Sequence, residues 1–316
     1  MKIVIFNPKS DFLKEQQITL TNIGKVSFVD EYKEYPLNQL IEIAKDAEII
    51  AVNPDILGGF EKAKNRLVTI METLPRLKGI ALGTTSYGWV DLDYCRKRKI
   101  VVCSLPAKLQ SETIAEHTIA LLLCASKQII LTDRRTQKGQ YKLEMGFELK
   151  GKTLGIIGLG NIGSRVAEIA KCFGMRVIAC NRSPKSQNSV EMKTLGEILR
   201  ESDAISIHAT HVNENKGLIS KKEIHKIKKG AIIINIADRE MVDEEAMAEA
   251  IRSKKVATYI YEAEDLINTP LADLENAIGL QGFGWYTSEV MTALMETWVE
   301  NIVALAKNKS KNMVEL

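Results

Sequence analysis

Histidine and cysteine are scarce in this sequence. Among 316 residues there are four histidines, His117, His208, His211 and His225, and none lies after residue 225. The five cysteines are odd in number and form no CxxC pair. This usage excludes a disulfide framework and a zinc ribbon, predicts no metal site, and is typical of a reducing compartment. We therefore expect a cytoplasmic protein.

Long apolar runs are also missing. No window reaches the roughly 18 uncharged apolar residues that a transmembrane helix needs. The longest candidate, residues 113–130, contains Glu116 and Lys127 and is better explained as a buried helix. The N-terminal apolar run stops at Asn7 and Pro8, which is too short for a signal peptide, and it predicts a first β-strand. We expect no membrane partner.

No charge of one sign dominates. The 43 Lys and Arg and the 40 Asp and Glu leave a net charge of +3, which is too little to predict a nucleic-acid partner. Hydrophobic residues (45%) and charged residues (26%) are in ordinary globular proportion, which excludes a disordered, collagen-like or low-complexity chain. At roughly 150 residues per domain, the length predicts two domains.

Short apolar segments alternate with helical segments in two series. Strands are expected at residues 2–6, 48–52, 77–82 and 100–103 in the first series, and at 153–158, 176–181, 204–208, 231–236, 256–261 and 277–280 in the second. This alternation predicts an α/β fold with two doubly wound parallel sheets. Residues 131–150 suggest a surface connection. The first series shows too few helices to cover its sheet, so the final helix, residues 287–307, could return to it.

The strongest motif is a glycine pattern after the first strand of the second series. Gly158-Leu-Gly160-Asn-Ile-Gly163 stands between a predicted strand and a predicted helix, as in a dinucleotide-binding turn. Gly158 permits the tight turn, Gly160 lets the backbone approach a pyrophosphate, and Gly163 lets the helix pack closely. The helix start at Asn161 and Ile162 then offers N–H groups to phosphate. The alternative is a glycine-rich turn without a ligand.

The residues after the next strand bear on the choice of cofactor. An NAD site places Asp or Glu there for the ribose 2′-hydroxyl, whereas an arginine accommodates the 2′-phosphate of NADP. This sequence has Asn181, Arg182 and Ser183, and no carboxylate. The cation and the hydroxyl favour NADP. NAD stays open because Asn181 can bind a ribose, and Arg182 could equally be a solvated loop charge.

Longer stretches resemble the D-isomer-specific 2-hydroxyacid dehydrogenases, among them the phosphoglycerate and glycerate dehydrogenases. They cover most of the chain and lie at residues 105–106, 115–123, 151–163, 202–208, 229–235 and 242–246. The resemblance implies a flavodoxin-like substrate domain of residues 1–103 plus 287–316. It implies a Rossmann NAD(P)-binding domain of residues 104–286, a small-molecule substrate and a homodimer.

The resemblance also suggests ligand contacts. The loop of residues 83–91 is similar to the family's substrate loop, in which the backbone N–H groups of Thr85 and Ser86 would hold the substrate carboxylate. The alternative for this loop is an ordinary βα turn. Further cofactor contacts are expected where two later strands end, at Ala209, Thr210, Ile236 and Ala237.

The catalytic residues of the family do not carry over cleanly. Its chemistry uses an Arg that binds the 2-oxo acid, a His that donates a proton, and a Glu that orients the His. Asp238 stands at the Arg position, and Arg239 follows it. The His position falls on Gly282. The Glu corresponds to Glu264 or, because a short deletion blurs the register, to Glu262.

No other residue clearly restores the lost groups. Tyr259 replaces the Asp that helps hold the nicotinamide amide. His117 and His208 are expected to have structural roles, and His211 is expected at the surface near the cofactor edge. Tyr286 could donate a proton, although the ordinary tyrosine pKa of about 10 suits acid catalysis at neutral pH poorly.

The sequence leaves two functions open. The first is an NAD(P)-dependent oxidoreductase related to this family that acts on a CH–OH group or a 2-oxo acid. Its altered active site would use Glu264, Asp238 and Arg239 as candidate catalytic residues. The second is a catalytically silent dinucleotide-binding protein that senses redox state or acts through protein contacts. The extent of the resemblance favours the oxidoreductase.

Overall fold

The chain divides into two compact units. A computed structural model describes residues 1–182, 190–210, 215–263, 265–309 and 311–315. Unit 1 contains Met1–Leu109 and Thr287–Leu316, and unit 2 contains Gln110–Tyr286. The first boundary between the units therefore lies after residue 109, whereas the sequence predicts it after residue 103.

Unit 1 is built on a five-stranded parallel sheet. Its elements before the break are β1 (Lys2–Pro8), α1 (Lys14–Thr21), β2 (Lys25–Val29), α2 (Leu37–Ala44), β3 (Ile49–Val52), α3 (Phe60–Glu72), β4 (Gly79–Leu82), α4 (Leu92–Arg98) and β5 (Val101–Cys103). The strand order is β2-β1-β3-β4-β5. Ile3 to Phe6 of β1 are completely buried, as expected for a strand that is covered on both faces.

Unit 2 carries a seven-stranded parallel sheet in its described residues. The elements are α5 (Ser111–Ser126), α6 (Ile129–Gln137), β6 (Thr153–Ile157), α7 (Asn161–Cys172), β7 (Arg176–Cys180), β8 (Glu191–Met192), α8 (Leu195–Glu201), β9 (Ala204–Ile207), α9 (Lys221–Lys226), β10 (Ala231–Asn235), α10 (Glu244–Arg252), β11 (Val256–Glu262) and β12 (Ala277–Leu280). The strand order is β12-β11-β10-β9-β6-β7-β8. The predicted α/β class with two parallel sheets is confirmed.

The last helix, α11 (Ser288–Ala306), covers the sheet of unit 1. Trp298 donates a hydrogen bond from its indole nitrogen to the carbonyl oxygen of Ala81 at 3.0 Å. Gly79 lies under Leu305, so close that a Cβ at Gly79 would be 3.1 Å from the leucine side chain. The two ends of unit 1 are therefore joined by packing on β4.

Unit 1 contains more elements than the sequence predicts. The sequence predicts no element at α1, β2 or α3. The expectation that the first series has too few helices is therefore wrong. Helix α1 buries only Gln16 and Leu20, so it has no continuous apolar stripe. Strand β2 lies at the sheet edge with only Val29 buried. Partly exposed elements leave a weak hydrophobic pattern in the sequence.

Helix α6 corrects the expected surface connection at residues 131–150. It runs to Gln137 and buries Leu131 and Arg135. The Arg135 guanidinium donates hydrogen bonds to both carboxylate oxygens of Glu275, each at 2.7 Å, so its charge is paired. Within the described ranges, no single helix is long and apolar enough to cross a membrane. Ala107–Ser126 and Ile129–Gln137 pass that test only as a pair bent by 61°.

An irregular segment follows α6. Residues 140–148 contain no helix or strand. Tyr141, Leu143 and Met145 alternate along it, and their exposed fractions are 91%, 80% and 96%. We call these three residues the apolar arm. Three large apolar side chains exposed so close together are unusual on the surface of a monomer.

Candidate active site

The carboxyl ends of four adjacent strands in unit 2 form the floor of the candidate site. Their order is β10-β9-β6-β7. The chain passes from β6 through α7 to β7 on one side, and β9 lies on the other side of β6. The direction in which strands are added therefore reverses between β6 and β9. Open parallel sheets bind their ligands at such a switch point.

The loop from β6 to α7 packs tightly at two glycines and is open at the third. Gly158 has φ +100°, and a Cβ there would lie 2.7 Å from the backbone nitrogen of Ala209. A Cβ at Gly163 would lie 2.2 Å from the carbonyl oxygen of Gly158. A Cβ at Gly160 would meet nothing within 4 Å. The space at Gly160 is therefore available to a ligand.

Helix α7 begins at this open position. Gly160 is its N-cap, and the first helical hydrogen bond runs from Ser164 N to Gly160 O at 2.9 Å. The N–H groups of Asn161, Ile162 and Gly163 consequently have no acceptor within the helix. Together with the positive end of the helix dipole, they can bind a phosphate group.

Asn181 follows β7 and holds the glycine loop. Its Oδ1 accepts a hydrogen bond from Leu159 N at 2.6 Å, so this oxygen is already used by the loop. Arg182 is exposed next to it. Ser183 lies outside the described residues. The described residues directly after β7 therefore present a cation and no carboxylate.

Two short backbone segments continue the floor beyond β9 and β10. Ala209 and Thr210 follow β9, and Ile236 and Ala237 follow β10. Ala237 N donates to Oδ1 of Asn235 at 3.2 Å, which fixes the turn after β10. The structure thus brings these four predicted cofactor residues to the same sheet edge as the glycine loop.

His208 is part of this floor. Its Nε2 lies 3.0 Å from Oγ of Ser206, and its backbone carbonyl fills the space that a Cβ at Gly158 would need. Burial lowers the pKa of His208 to about 4, so the ring is neutral at physiological pH. These contacts fit a structural role. His211 lies outside the described residues.

Asp238 and Arg239 have partners within unit 2. Asp238 accepts a hydrogen bond from Glu240 N at 2.7 Å and caps a short turn. Arg239 binds both carboxylate oxygens of Glu244, at 2.9 and 2.7 Å, and donates to the carbonyl oxygen of Asp265 at 2.7 Å. The hydrogen bond to Glu244 raises the pKa of Arg239 above its ordinary value. Neither set of contacts supplies a substrate carboxylate site, so the catalytic roles stay predictions.

Tyr259 belongs to the core of unit 2. Its side chain is fully buried, and its hydroxyl lies 3.2 Å from Nδ2 of Asn235. The ring stacks on Tyr261 with 5.1 Å between centroids and an interplanar angle of 11°. Burial raises the pKa of Tyr259 well above its ordinary value. A neutral buried group therefore stands where the resemblance would place a carboxylate.

An imidazole and a carboxylate meet where β11 ends. Glu262 is the last residue of β11, and its Oε1 lies 3.0 Å from Nε2 of His117 on α5. The two side chains are only 15% and 12% exposed. A Cβ at Gly282, the expected His position, would lie 4.0 Å from Oε2 of Glu262. Glu262 is thus a carboxylate beside that position, and Glu264 lies outside the described residues.

The segment after β12 encloses the His117 ring. Phe283 meets it edge-on, with 5.0 Å between ring centroids and an interplanar angle of 71°. A Cβ at Gly284 would lie 2.4 Å from the ring. Gly284 N also donates to Oε1 of Glu262 at 3.2 Å. This pairing is not predicted from the sequence, in which the two glycines around Phe283 are the only sign of it.

The predicted substrate loop lies in unit 1, directly after β4. Thr84 Oγ1 and Trp89 Nε1 both donate to the carbonyl oxygen of Ser86, at 2.7 and 2.9 Å. In the part of the chain that the structure describes, the backbone N–H groups of Thr85 and Ser86 have no acceptor. Such a pair of N–H groups can bind an anion.

Comparison with known proteins places this geometry in a family. A family model described as "D-isomer specific 2-hydroxyacid dehydrogenase, NAD binding domain" matches residues 119–280. The chain is 32% identical over 308 residues to a glyoxylate reductase of Aeropyrum pernix, covering 92% of this chain and 89% of that protein. The chain belongs to the D-isomer-specific 2-hydroxyacid dehydrogenase family.

Solved structures agree with this family assignment. A D-lactate dehydrogenase from Aquifex aeolicus, complexed with NAD and lactic acid, is 27% identical with a TM-score of 0.77 and covers 98% of this chain and 96% of that one. An acyclic imino acid reductase in complex with NADPH and D-Arg has a TM-score of 0.83 at 24% identity, with both chains covered completely. At that identity the likeness concerns the fold alone. One of these structures holds NAD and the other NADPH, so they do not decide which of the two nucleotides this chain binds.

Proposed function

We propose that this chain is an NAD(P)-dependent oxidoreductase that interconverts a 2-oxo acid and a 2-hydroxy acid. Membership of the D-isomer-specific 2-hydroxyacid dehydrogenase family supports the reaction class. The observation that carries the proposal is the open position at Gly160, onto which the first turn of α7 directs its N–H groups. The active site differs from the family pattern at Asp238, Tyr259 and Gly282.

The residues of unit 2 fit a nicotinamide dinucleotide. Gly158, Gly160 and the N–H groups of Asn161, Ile162 and Gly163 would hold the pyrophosphate. The segments after β9 and β10 would line one half of the dinucleotide, through Ala209, Thr210, Ile236 and Ala237. When bound, the nicotinamide gives or accepts a hydride. The protein would bind and orient the reactants.

The proposed substrate is a small 2-oxo acid. The Aeropyrum pernix relative is named glyoxylate reductase, which supports a substrate of that size. The free N–H groups of Thr85 and Ser86 would bind its carboxylate. Because Glu244 holds Arg239, we assign carboxylate binding to these N–H groups rather than to that arginine. Glu264 and Asp238 remain predicted catalytic residues.

Purified protein tests the proposal directly. NADPH and NADH are titrated by fluorescence, and glyoxylate, hydroxypyruvate and pyruvate are then added while oxidation of the nucleotide is followed. We expect binding of a nucleotide and its oxidation with at least one acid. Binding without oxidation across the panel would overturn the reductase and support a silent dinucleotide-binding protein. Failure to bind either nucleotide would overturn both functions.

We further propose NADP as the preferred cofactor. Arg182 is exposed directly after β7. The side-chain oxygen of Asn181 already accepts a hydrogen bond from Leu159 N of the glycine loop. In Arg182→Asp, NADPH binding should weaken by about tenfold or more while NADH binding changes little, because only the 2′-phosphate loses a charge-assisted hydrogen bond. Fluorescence titration measures both. The control is Arg252→Asp, which alters another exposed arginine of unit 2. Equal weakening of NADPH and NADH would reject the 2′-phosphate role.

We also propose a homodimer that forms through unit 2. The apolar arm exposes Tyr141, Leu143 and Met145 almost completely. Burying three such side chains against a second copy would remove a large apolar area from water, which favours association. The family resemblance supports the same assembly.

A further inference from the structure

We propose that His117 is the proton donor of the reaction and replaces the histidine that is missing at Gly282. This inference rests on the proposed 2-oxo-acid reduction. Its basis is the contact between Nε2 of His117 and Oε1 of Glu262, 3.0 Å apart at the end of β11. An imidazole held by a carboxylate is the arrangement that general acid catalysis requires.

The position of the pair suits proton transfer to a substrate beside the nicotinamide. The pyrophosphate site lies between β6 and β9, and a dinucleotide extends across the switch point in both directions. One direction leads over β7 and Arg182, which we assign to the adenosine half. The other leads over β9 and β10 towards β11, where Glu262 ends the strand. His117 is thus on the side of the reacting half.

The ring is oriented by one nitrogen and accessible at the other. Nε2 is buried and faces Glu262, although the two atoms are not aligned for a linear hydrogen bond. Nδ1 has no hydrogen-bond partner in the described residues and is not among the buried unpaired atoms, so it keeps contact with solvent. The carboxylate therefore fixes the ring, and Nδ1 is the atom that can exchange a proton.

Two glycines make room for this substitution. The ring of His117 occupies the space that any side chain at residue 284 would need. Gly282 leaves Oε2 of Glu262 uncovered, with a Cβ position only 4.0 Å away. The N–H group of Gly284 holds Oε1 from a third direction. Glu262, one of the two carboxylates that the resemblance offers as the partner of a histidine at 282, here faces a histidine from α5.

The proposed step is balanced. The carbonyl carbon of the 2-oxo acid gains a hydride from the reduced nicotinamide, while the carbonyl oxygen gains the proton of His117 Nδ1–H. The C=O π bond breaks, and a C–H and an O–H bond form. The substrate is reduced by two electrons, which the bound nicotinamide would supply with the hydride. His117 is left neutral and regains a proton from solvent.

The test compares His117→Asn with the wild-type protein, using the acid that the wild type reduces best. We expect kcat to fall by about 100-fold or more, the usual loss when a general acid is removed. The dissociation constant for NADPH should stay within about twofold, because the pyrophosphate site is untouched. His225→Asn, which alters an exposed histidine on α9, is the matched control and should keep full kcat.

Two further measurements separate proton donation from a structural role. Oxamate, an unreactive analogue of a 2-oxo acid, should bind to the NADPH complex of the wild type with proton uptake in calorimetry at pH 8. The His117→Asn complex should show no such uptake. Adding Gly282→His to His117→Asn should recover at least about tenfold of the lost kcat, because the new imidazole is within reach of Glu262.

Each outcome decides a specific point. A wild type that binds NADPH but reduces no acid overturns the proposed function, and the role of His117 falls with it. An active wild type with unchanged kcat in His117→Asn overturns the role of His117 alone. Loss of kcat together with loss of NADPH binding, or with proton uptake unchanged, identifies His117 as structural and rejects proton donation.

Discussion

At the scale of single residues, burial keeps His208 neutral within the floor of the site. The side chain contacts Ser206, and desolvation lowers its pKa from 6.5 to about 4. A charged ring under the glycine loop would have to lose its hydration without a carboxylate partner. His117 differs because it faces Glu262. The two histidines therefore have different surroundings, His208 a hydroxyl and His117 a carboxylate.

The neutral state of His208 predicts a pH dependence of stability. Between pH 6.5 and 4 the unfolded chain binds a proton at this residue and the folded chain does not, so stability falls as the pH is lowered. The free energy of unfolding should lose up to about 2 kcal/mol from this residue between pH 7.5 and 5. Urea denaturation at both values measures it.

The control for this pH effect is a pair of variants. His208→Asn should flatten the loss of stability at low pH, whereas His225→Asn, at an exposed position, should leave it as in the wild type. An unchanged slope in His208→Asn would show that His208 is not the group responsible.

The residue scale also shows a limit of prediction. The missing family histidine could be seen in the sequence because the segment around Gly282 is recognisable. The contact between His117 and Glu262 could not be seen in the sequence, because the two residues are far apart along the chain. Only the packing of α5 near the end of β11 brings them together. The sequence likewise leaves Glu262 and Glu264 as alternatives, because a short deletion blurs the register of that segment.

At the scale of elements, two glycines of the loop between β6 and α7 have different roles, one in folding and one in binding. Gly163 is needed for the helix to lie against the loop, since a Cβ there would be 2.2 Å from Gly158 O. Gly160 makes no such contact within the protein. Their roles were assigned from the sequence, because a glycine pattern between a strand and a helix has few possible geometries.

Alanine substitutions should separate these two roles. Gly160→Ala should leave the free energy of unfolding nearly unchanged and weaken NADPH binding by about tenfold or more, because the methyl group occupies the ligand's space. Gly163→Ala should lower the free energy of unfolding by about 1–3 kcal/mol and weaken binding as well. Urea denaturation and fluorescence titration measure the two effects. Unchanged NADPH affinity in Gly160→Ala would contradict the assignment of Gly160 to the pyrophosphate site.

The sequence predicted the elements of unit 2 better than those of unit 1. Strands β6, β9 and β10 of unit 2 are buried throughout and mostly apolar, which marks them clearly. In unit 1, α1 and β2 are only partly buried, and their patterns are correspondingly weak. α6 was hidden for a different reason, because its polar residues include the buried Arg135, whose charge is paired by Glu275.

At the scale of the whole molecule, the apolar arm predicts the oligomeric state. Light scattering with size-exclusion chromatography should give the mass of a dimer for the wild type. Replacing Tyr141, Leu143 and Met145 together by Ser should shift it towards the monomer, because the apolar contact is lost. A variant with Leu13→Ser and Ile18→Ser, exposed apolar residues of unit 1, is the control and should stay dimeric. A monomeric wild type, or a dimeric triple variant, would contradict the prediction.

The return of α11 to unit 1 has a consequence for how the protein is made on the ribosome. Unit 2 is one continuous stretch and can fold as soon as it has emerged, whereas the sheet of unit 1 must wait for Trp298 and Leu305, which are translated after unit 2. Until then one face of β4 has no cover. The sheet of unit 1 therefore emerges before unit 2 and is completed after it, and its uncovered face is exposed to aggregation in the nascent chain.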